Sequence, residues 1–133
     1  CLSLAIYFVG YYKWTVFYGI AIIFTEKDIW YTMKEESEKI YTYYRKAQYH
    51  ETDQMGIIHH SNYVKWMEEA RIGYMDQMGF AYKKVEEMEV ISPVVEISVT
   101  YKKQVFFDDD IQIRVSIRKY NGISLEFNYE FFK

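Results

Sequence analysis

From residue 94 to residue 133, apolar and polar side chains alternate in successive long runs. Val95, Ile97, Val99 and Tyr101 are interleaved with Glu96, Ser98, Thr100 and Lys102. Ile111, Ile113, Val115 and Ile117 alternate with Gln112, Arg114, Ser116 and Arg118, and Ile123, Leu125, Phe127, Tyr129 and Phe131 continue the series. A period of two puts one set of side chains on one face of a strand, so these runs predict long antiparallel strands with a single apolar face. Pro93 marks where the first can begin. Asp108-Asp109-Asp110 turns the chain between the first and second, and Asn121-Gly122 is a strong hairpin signal. A further, tyrosine-rich strand is predicted over Ile40 to Tyr49, with Tyr41, Tyr43, Ala47 and Tyr49 on one side and Arg45 interrupting that side.

In the middle of the chain the period changes. Tyr63, Met67, Ala70, Tyr74 and Met78 recur at helical spacing, Ser61 or Asn62 is placed to cap the helix, and Gly79 supplies a stop. Lys65, Glu68, Glu69 and Arg71 gather mostly on the opposite face, with Glu68 and Arg71 three apart and able to pair. Phe80 to Met88 reads as a short polar segment packed by Phe80, Val85 and Met88. A sheet with one apolar face needs a cover, and this helix is the one long amphipathic candidate. The expected fold class is therefore α+β, one long helix wrapped by a curved antiparallel sheet.

The first 32 residues differ from the rest. Leu4 to Phe24 is almost entirely apolar and aromatic, broken by Gly10, Lys13, Thr15 and Gly19. Its length matches the ~20 residues a bilayer needs. Against a membrane span, Lys13 sits near the middle, where a charge costs about 2.5–3.5 kcal/mol. A secretory signal lacks a basic start and a small-residue cleavage site. The first Met is Met33, followed by a polar stretch of the kind that opens a cytoplasmic protein. Residues 1–32 are thus expected to be an extension outside the fold, with a membrane anchor as the alternative, and 33–133 to be one domain. The alternation still runs at Lys133, so one more strand is expected beyond it.

Composition narrows the function. The 133 residues carry a net charge of -3. Setting aside Lys13, Lys27, Glu26 and Asp28 leaves that balance unchanged. With no basic run or stripe, nucleic acid is not an expected partner. Cys1 is the only cysteine, which rules out a disulfide framework within one chain. Adjacent His59 and His60 would need further ligands to hold a metal, and the only other histidine is His50, so no metal site is expected. There is no phosphate-binding glycine loop and no Gly-x-Ser-x-Gly nucleophile elbow.

The remaining candidate chemistry lies from Tyr49 to Arg71. Asp53 and Gly56 punctuate a loop between a strand end and a helix start. A lone Asp before Gly is commonly a turn residue, but this one precedes a helix N-terminus whose free N–H groups favour negative charge. A carboxylate beside an oxyanion site suits acyl transfer. The backbone N–H of His60, just at the helix start, is the expected oxyanion donor. Glu68-Glu69 reads as a solvated salt-bridge face, and Trp66 as core.

Asp53-Gln-Met-Gly56-Ile-Ile-His-His60-Ser-Asn-Tyr63, followed by Lys-Trp-Met-Glu68-Glu-Ala-Arg71, resembles the signature of the hotdog-fold acyl-CoA thioesterases. The similarity is to the branch holding 4-hydroxybenzoyl-CoA thioesterases and Tol-Pal-associated acyl-CoA thioesterases. It continues through Val95 to Tyr101, Phe107 to Ile111 and Gly122 to Phe127, and none of it falls in residues 1–32. The resemblance implies a sheet wrapped around a long helix, and hydrolysis of a small or medium acyl-CoA in the cytoplasm. It implies Asp53 as catalytic aspartate, either nucleophile or base for water, and the His60 backbone N–H as the group that polarises the thioester carbonyl. Gly56 matches the loop glycine, and Gly56, His59 and Tyr63 are the implied substrate-binding positions. His59 departs from the aromatic residue often found there. No cofactor is implied, coenzyme A arriving as part of the substrate, and a homodimer or homotetramer is. A non-catalytic acyl-thioester-binding module and a hotdog hydratase or dehydratase are the alternatives, although the His-Phe-Pro-Gly-type loop of one dehydratase branch does not occur.

Overall fold

The computed structural model describes residues 2–9, 35, 39–79, 94–120 and 124–133, with the backbone alone for 2–9 and 124. The strands are β1 (Leu2–Val9), β2 (Tyr41–Lys46), β3 (Val94–Val99), β4 (Asp110–Tyr120) and β5 (Ser124–Phe132); α1 spans His60–Gln77, preceded by a 3-10 turn at Tyr49–Glu51. The strands form one antiparallel sheet in the order β2-β4-β5-β1-β3. The expected segment at Phe80 to Met88 lies outside the described residues.

The alternation read from the sequence places the core. Ile111, Ile113, Val115 and Ile117 of β4 are buried, as are Phe127, Tyr129 and Phe131 of β5. From α1, Tyr63, Trp66, Met67, Ala70 and Tyr74 meet them. Helix packing requires one close approach: a Cβ on Gly73 would stand 2.5 Å from the Tyr41 hydroxyl, so the glycine makes room for β2. Gly79 ends the helical segment with φ +83, a conformation that costs glycine little.

Polar positions depart from the expected pattern in informative ways. Arg71, expected on the solvent face with its partner Glu68, is only 4% exposed, although the pair is present at 3.7 Å. Arg45 lies over Trp66 at 4.4 Å and binds Glu51 at 2.6 Å and Glu69 at 2.7 Å. The interruption of the tyrosine face is thus a paired cation stacked on a core aromatic. Tyr49 is exposed, because the chain leaves β2 at Lys46 and turns into the 3-10 segment. The aspartate turn forms as expected, with Asp108 at φ 70 and Lys46 bridging Asp108 and Asp110.

Leu2–Val9 falls in the segment expected to lie outside the fold, yet it stands in the sheet between β5 and β3. Leu2, Leu4, Ile6 and Phe8 are register partners of Phe131, Tyr129, Phe127 and Leu125, so at alternate positions apolar residues oppose apolar ones. On its other edge Leu4 pairs with Val99 and Ile6 with Ile97. Among the described residues β3 has no other strand beside it. A chain beginning at Met33 is therefore expected to melt well below the full chain, since β3 would lose its ladder. Equal melts would show that residues 1–32 are dispensable for the fold. Among the described residues, no helix is long and apolar enough to cross a membrane.

Candidate active site at the start of the helix

The chain between β2 and α1 is a small hairpin-like loop. Thr52 bridges Ile58, and the Asp53 N–H donates to the Ile57 carbonyl at 2.8 Å. Gly56 takes φ +78 at its tip, with its N–H on the Asp53 carbonyl at 3.0 Å. The positive φ accounts for a glycine at this point. Asp53 Oδ1 accepts the Met55 N–H at 2.8 Å, closing an Asx turn. The turn role and the candidate chemical role thus fall on one residue, and the other carboxylate oxygen remains for a ligand. The loop is held to the segment before β4 by the Ile58 N–H on the Val105 carbonyl and by a bridge between Ile57 and Phe106.

At the helix start the cap is His59, two or three residues earlier than the expected Ser61 or Asn62. Its Nδ1 accepts the Ser61 N–H at 3.3 Å and lies 2.8 Å from Ser61 Oγ, and its carbonyl accepts the Asn62 N–H at 3.0 Å. His60 is the first helical residue, and its N–H has no carbonyl one turn earlier to bind within the helix. The His60 ring stacks on His59 with centroids 4.1 Å apart.

Asp53, His60 and Tyr63 line one open cavity of about 380 Å³ together with Met55, Ile57 and Tyr101. The structure thus brings three of the expected site residues together. Gly56 shapes the loop tip and His59 caps the helix; neither lines the cavity. Lys102, Lys103 and Gln104 add cationic and polar groups to the aromatic and aliphatic surface of its walls.

Tyr101 is the wall residue the sequence did not single out. The alternation makes it only the last apolar position of a strand, whereas β3 ends at Val99. Its hydroxyl donates to the His60 carbonyl at 3.0 Å and its ring packs edge-on against Tyr63 at 5.2 Å. Burial raises the Tyr101 pKa, so the phenol stays a donor. Burial likewise pushes Tyr63 up to about 12, despite a hydrogen bond with the Val105 backbone that pulls the other way. Both hydroxyls are neutral across the physiological range, leaving Asp53 as the anionic side chain lining the cavity.

Glu51 is the other residue that sequence reading passed over. It is 7% exposed, and its carboxylate accepts from Arg45 at 2.6 Å, from the Gln48 N–H at 2.8 Å and from Trp66 Nε1 at 2.8 Å. Burial alone would raise its pKa, but those bonds outweigh it and hold the carboxyl below its ordinary value. Removing one partner of such a buried pair typically costs about 3–5 kcal/mol. Nothing in its spacing announces this, since an acid beside a loop is ordinarily solvated.

With loop, cap and cavity in place, comparison with known proteins identifies the family. The family model described as the thioesterase-like superfamily matches residues 47–133. "Putative acyl-CoA thioesterase YneP" of Bacillus subtilis (strain 168) is 38% identical over 87 residues, 65% of this chain and 63% of that protein. The chain thus spans somewhat under two thirds of the length of that relative. Among solved structures, the DHNA-CoA thioesterase of Staphylococcus aureus superposes with a TM-score of 0.60 at 30% identity, covering 71% of this chain and 74% of that one. The 4-hydroxybenzoyl-CoA thioesterase of Pseudomonas sp. strain CBS-3 matches in fold, with a TM-score of 0.58 at 18% identity over 70% of this chain and 82% of that one. The helix against an antiparallel sheet, the matched span and these relatives agree: the chain has the hotdog fold and belongs to the thioesterase-like superfamily.

Proposed function

We propose that the chain is an acyl-CoA thioesterase that hydrolyses a small or medium acyl-CoA to the free acid and coenzyme A. The observation that carries this reading is the shared cavity of Asp53 and His60, lined by both an anionic side chain and the first residue of α1. The relatedness to YneP and to the DHNA-CoA thioesterase, each named for activity on an acyl-CoA, supports the substrate class.

A thioester is already an activated acyl group, so modest assistance suffices. Asp53 serves either as nucleophile at the thioester carbon or as base for the attacking water. In the first case an anhydride forms, thiolate leaves, and water then releases the acid. In the second, water adds as Asp53 takes its proton, and the sulfur then leaves as the thiol, taking that proton from Asp53. Positioned acid–base catalysis contributes about 10²–10⁴-fold. In both routes the carbonyl oxygen gains negative charge, which the His60 N–H and the positive end of the α1 dipole stabilise. Tyr101, bound to the His60 carbonyl, ties the next peptide of the helix start to the pocket wall. The reaction calls for no metal or redox group, and coenzyme A belongs to the substrate.

The test is a panel of acyl-CoA esters of graded length and aromaticity offered to the full chain, with thiol release as the readout. Turnover of at least one member is expected. Calorimetric binding with no release across the panel would make the protein an acyl-thioester-binding module instead.

We further propose a homodimer or dimer of dimers as the working assembly, because one helix on one sheet encloses a small core. Val94, Val95 and Ile97 of β3 are exposed among the described residues, and apolar surface of this kind is what subunit contacts cover. Sedimentation of the full chain is expected to give a dimer or larger; a fully active monomer would refute the assembly.

A further inference from the structure

We propose that Asn62 is a positioning residue: from the first turn of α1 it holds the Glu51 carbonyl and so fixes Asp53 and the His60 N–H relative to each other. This rests on the thioesterase reading above.

The loop that bears Asp53 has a defined base. The Glu51 carbonyl accepts the His59 N–H at 2.9 Å across that base, and the same oxygen accepts Asn62 Nδ2 at 2.8 Å. Above it, Thr52 bridges Ile58 and Asp53 pairs with Ile57. Asp53 therefore stands just beyond Glu51 on one arm, and His60 just beyond His59 on the other. Backbone pairing holds the arms together, and the Asn62 amide carries that register into the helix.

Glu51 is a fixed point for this purpose. Its carboxylate is tied to β2 through Arg45 and to the body of α1 through Trp66. Asn62 itself is 8% exposed, so water offers its amide no ready alternative partner. Asparagine within a helix is a poor former because its side chain competes for backbone groups. Here that competition is directed at a carbonyl outside the helix, which gives the residue a reason to be present. A displacement of about 1 Å between reacting groups can cost on the order of 10²-fold in rate.

The test compares the full wild-type chain with Asn62→Ala, Asn62→Asp and, as a core control, Ile113→Val, well below the melting temperature of each. Asn62→Ala is expected to lower kcat by about 10-fold or more with KM within about 2-fold. Ile113→Val should lower the melting temperature yet leave kcat within about 2-fold. Asn62→Asp keeps the volume but turns an acceptor toward the carbonyl. Its turnover relative to wild type should rise as pH falls, because the protonated acid donates to Glu51 again. If Asn62→Ala does not fold, this pH-dependent recovery decides the matter, and a flat ratio overturns the proposal. Amide hydrogen exchange, read without substrate, is expected to be at least about 10-fold faster at His59 in Asn62→Ala. Unchanged kcat, or unchanged His59 exchange, overturns the clamp. A wild-type chain that releases no thiol defeats the thioesterase reading, and His59 exchange then judges the clamp alone.

Discussion

Replacing Asp53 with Asn is expected to reduce acyl-CoA hydrolysis by about 10²-fold or more while folding and acyl-CoA binding persist. The variant is chosen because the structure separates the turn role of this residue from its chemical role. One carboxylate oxygen accepts the Met55 N–H, which an amide oxygen does equally well, and the backbone bond to Ile57 does not involve the side chain. The loop therefore keeps its shape. What disappears is the negative charge and the basicity that both the nucleophilic and the general-base routes require. Binding is expected to be retained or to tighten, since a charge beside the thioester is gone. Steady-state kinetics with a turned-over acyl-CoA, alongside calorimetry with the same ester, separates the two effects. Near-normal turnover in Asp53→Asn would sink the mechanism as stated.

The second large effect is expected at His60, where two substitutions diverge. His60→Pro should lose on the order of 10²–10³-fold in kcat, the usual cost of removing an oxyanion donor, whereas His60→Ala should keep much of the rate. Proline is well tolerated at the first helical position, since the N–H it lacks is one the helix does not use. The residue before it must be extended, and His59 already is, at φ -62 and ψ 135. Both variants lose the ring contacts with His59 and Tyr101, so the alanine variant measures that loss by itself. The difference between them isolates the backbone donor. Equal losses would assign the role to the imidazole.

What the sequence determined by itself was set by short-range periodicity. The alternation over Ile111 to Ile117 and Leu125 to Phe131 marked buried strand faces, and the spacing of Tyr63, Met67, Ala70 and Tyr74 marked the helix that covers them. The Asp-x-x-Gly loop before that helix was legible for the same reason: turn and cap chemistry is local, and its residues are neighbours in the chain. Only the tertiary structure decided the placement of polar groups whose partners are distant. Arg71 is buried although it lies off the apolar stripe of α1, and a long side chain can bury its stem. Arg45 and Glu51 face inward because Trp66, far along the chain, supplies both a ring to stack on and a donor. Tyr101 reaches the site because the segment after β3 passes over the helix start, where its hydroxyl meets the His60 carbonyl. Leu2–Val9 shows the same limit from the other side. Its apolar run reads equally as strand, membrane segment or extension, and only the ladders of β5 and β3 give it a register. Hydrophobicity states that a segment will be buried, but the partner that buries it is a property of the folded chain.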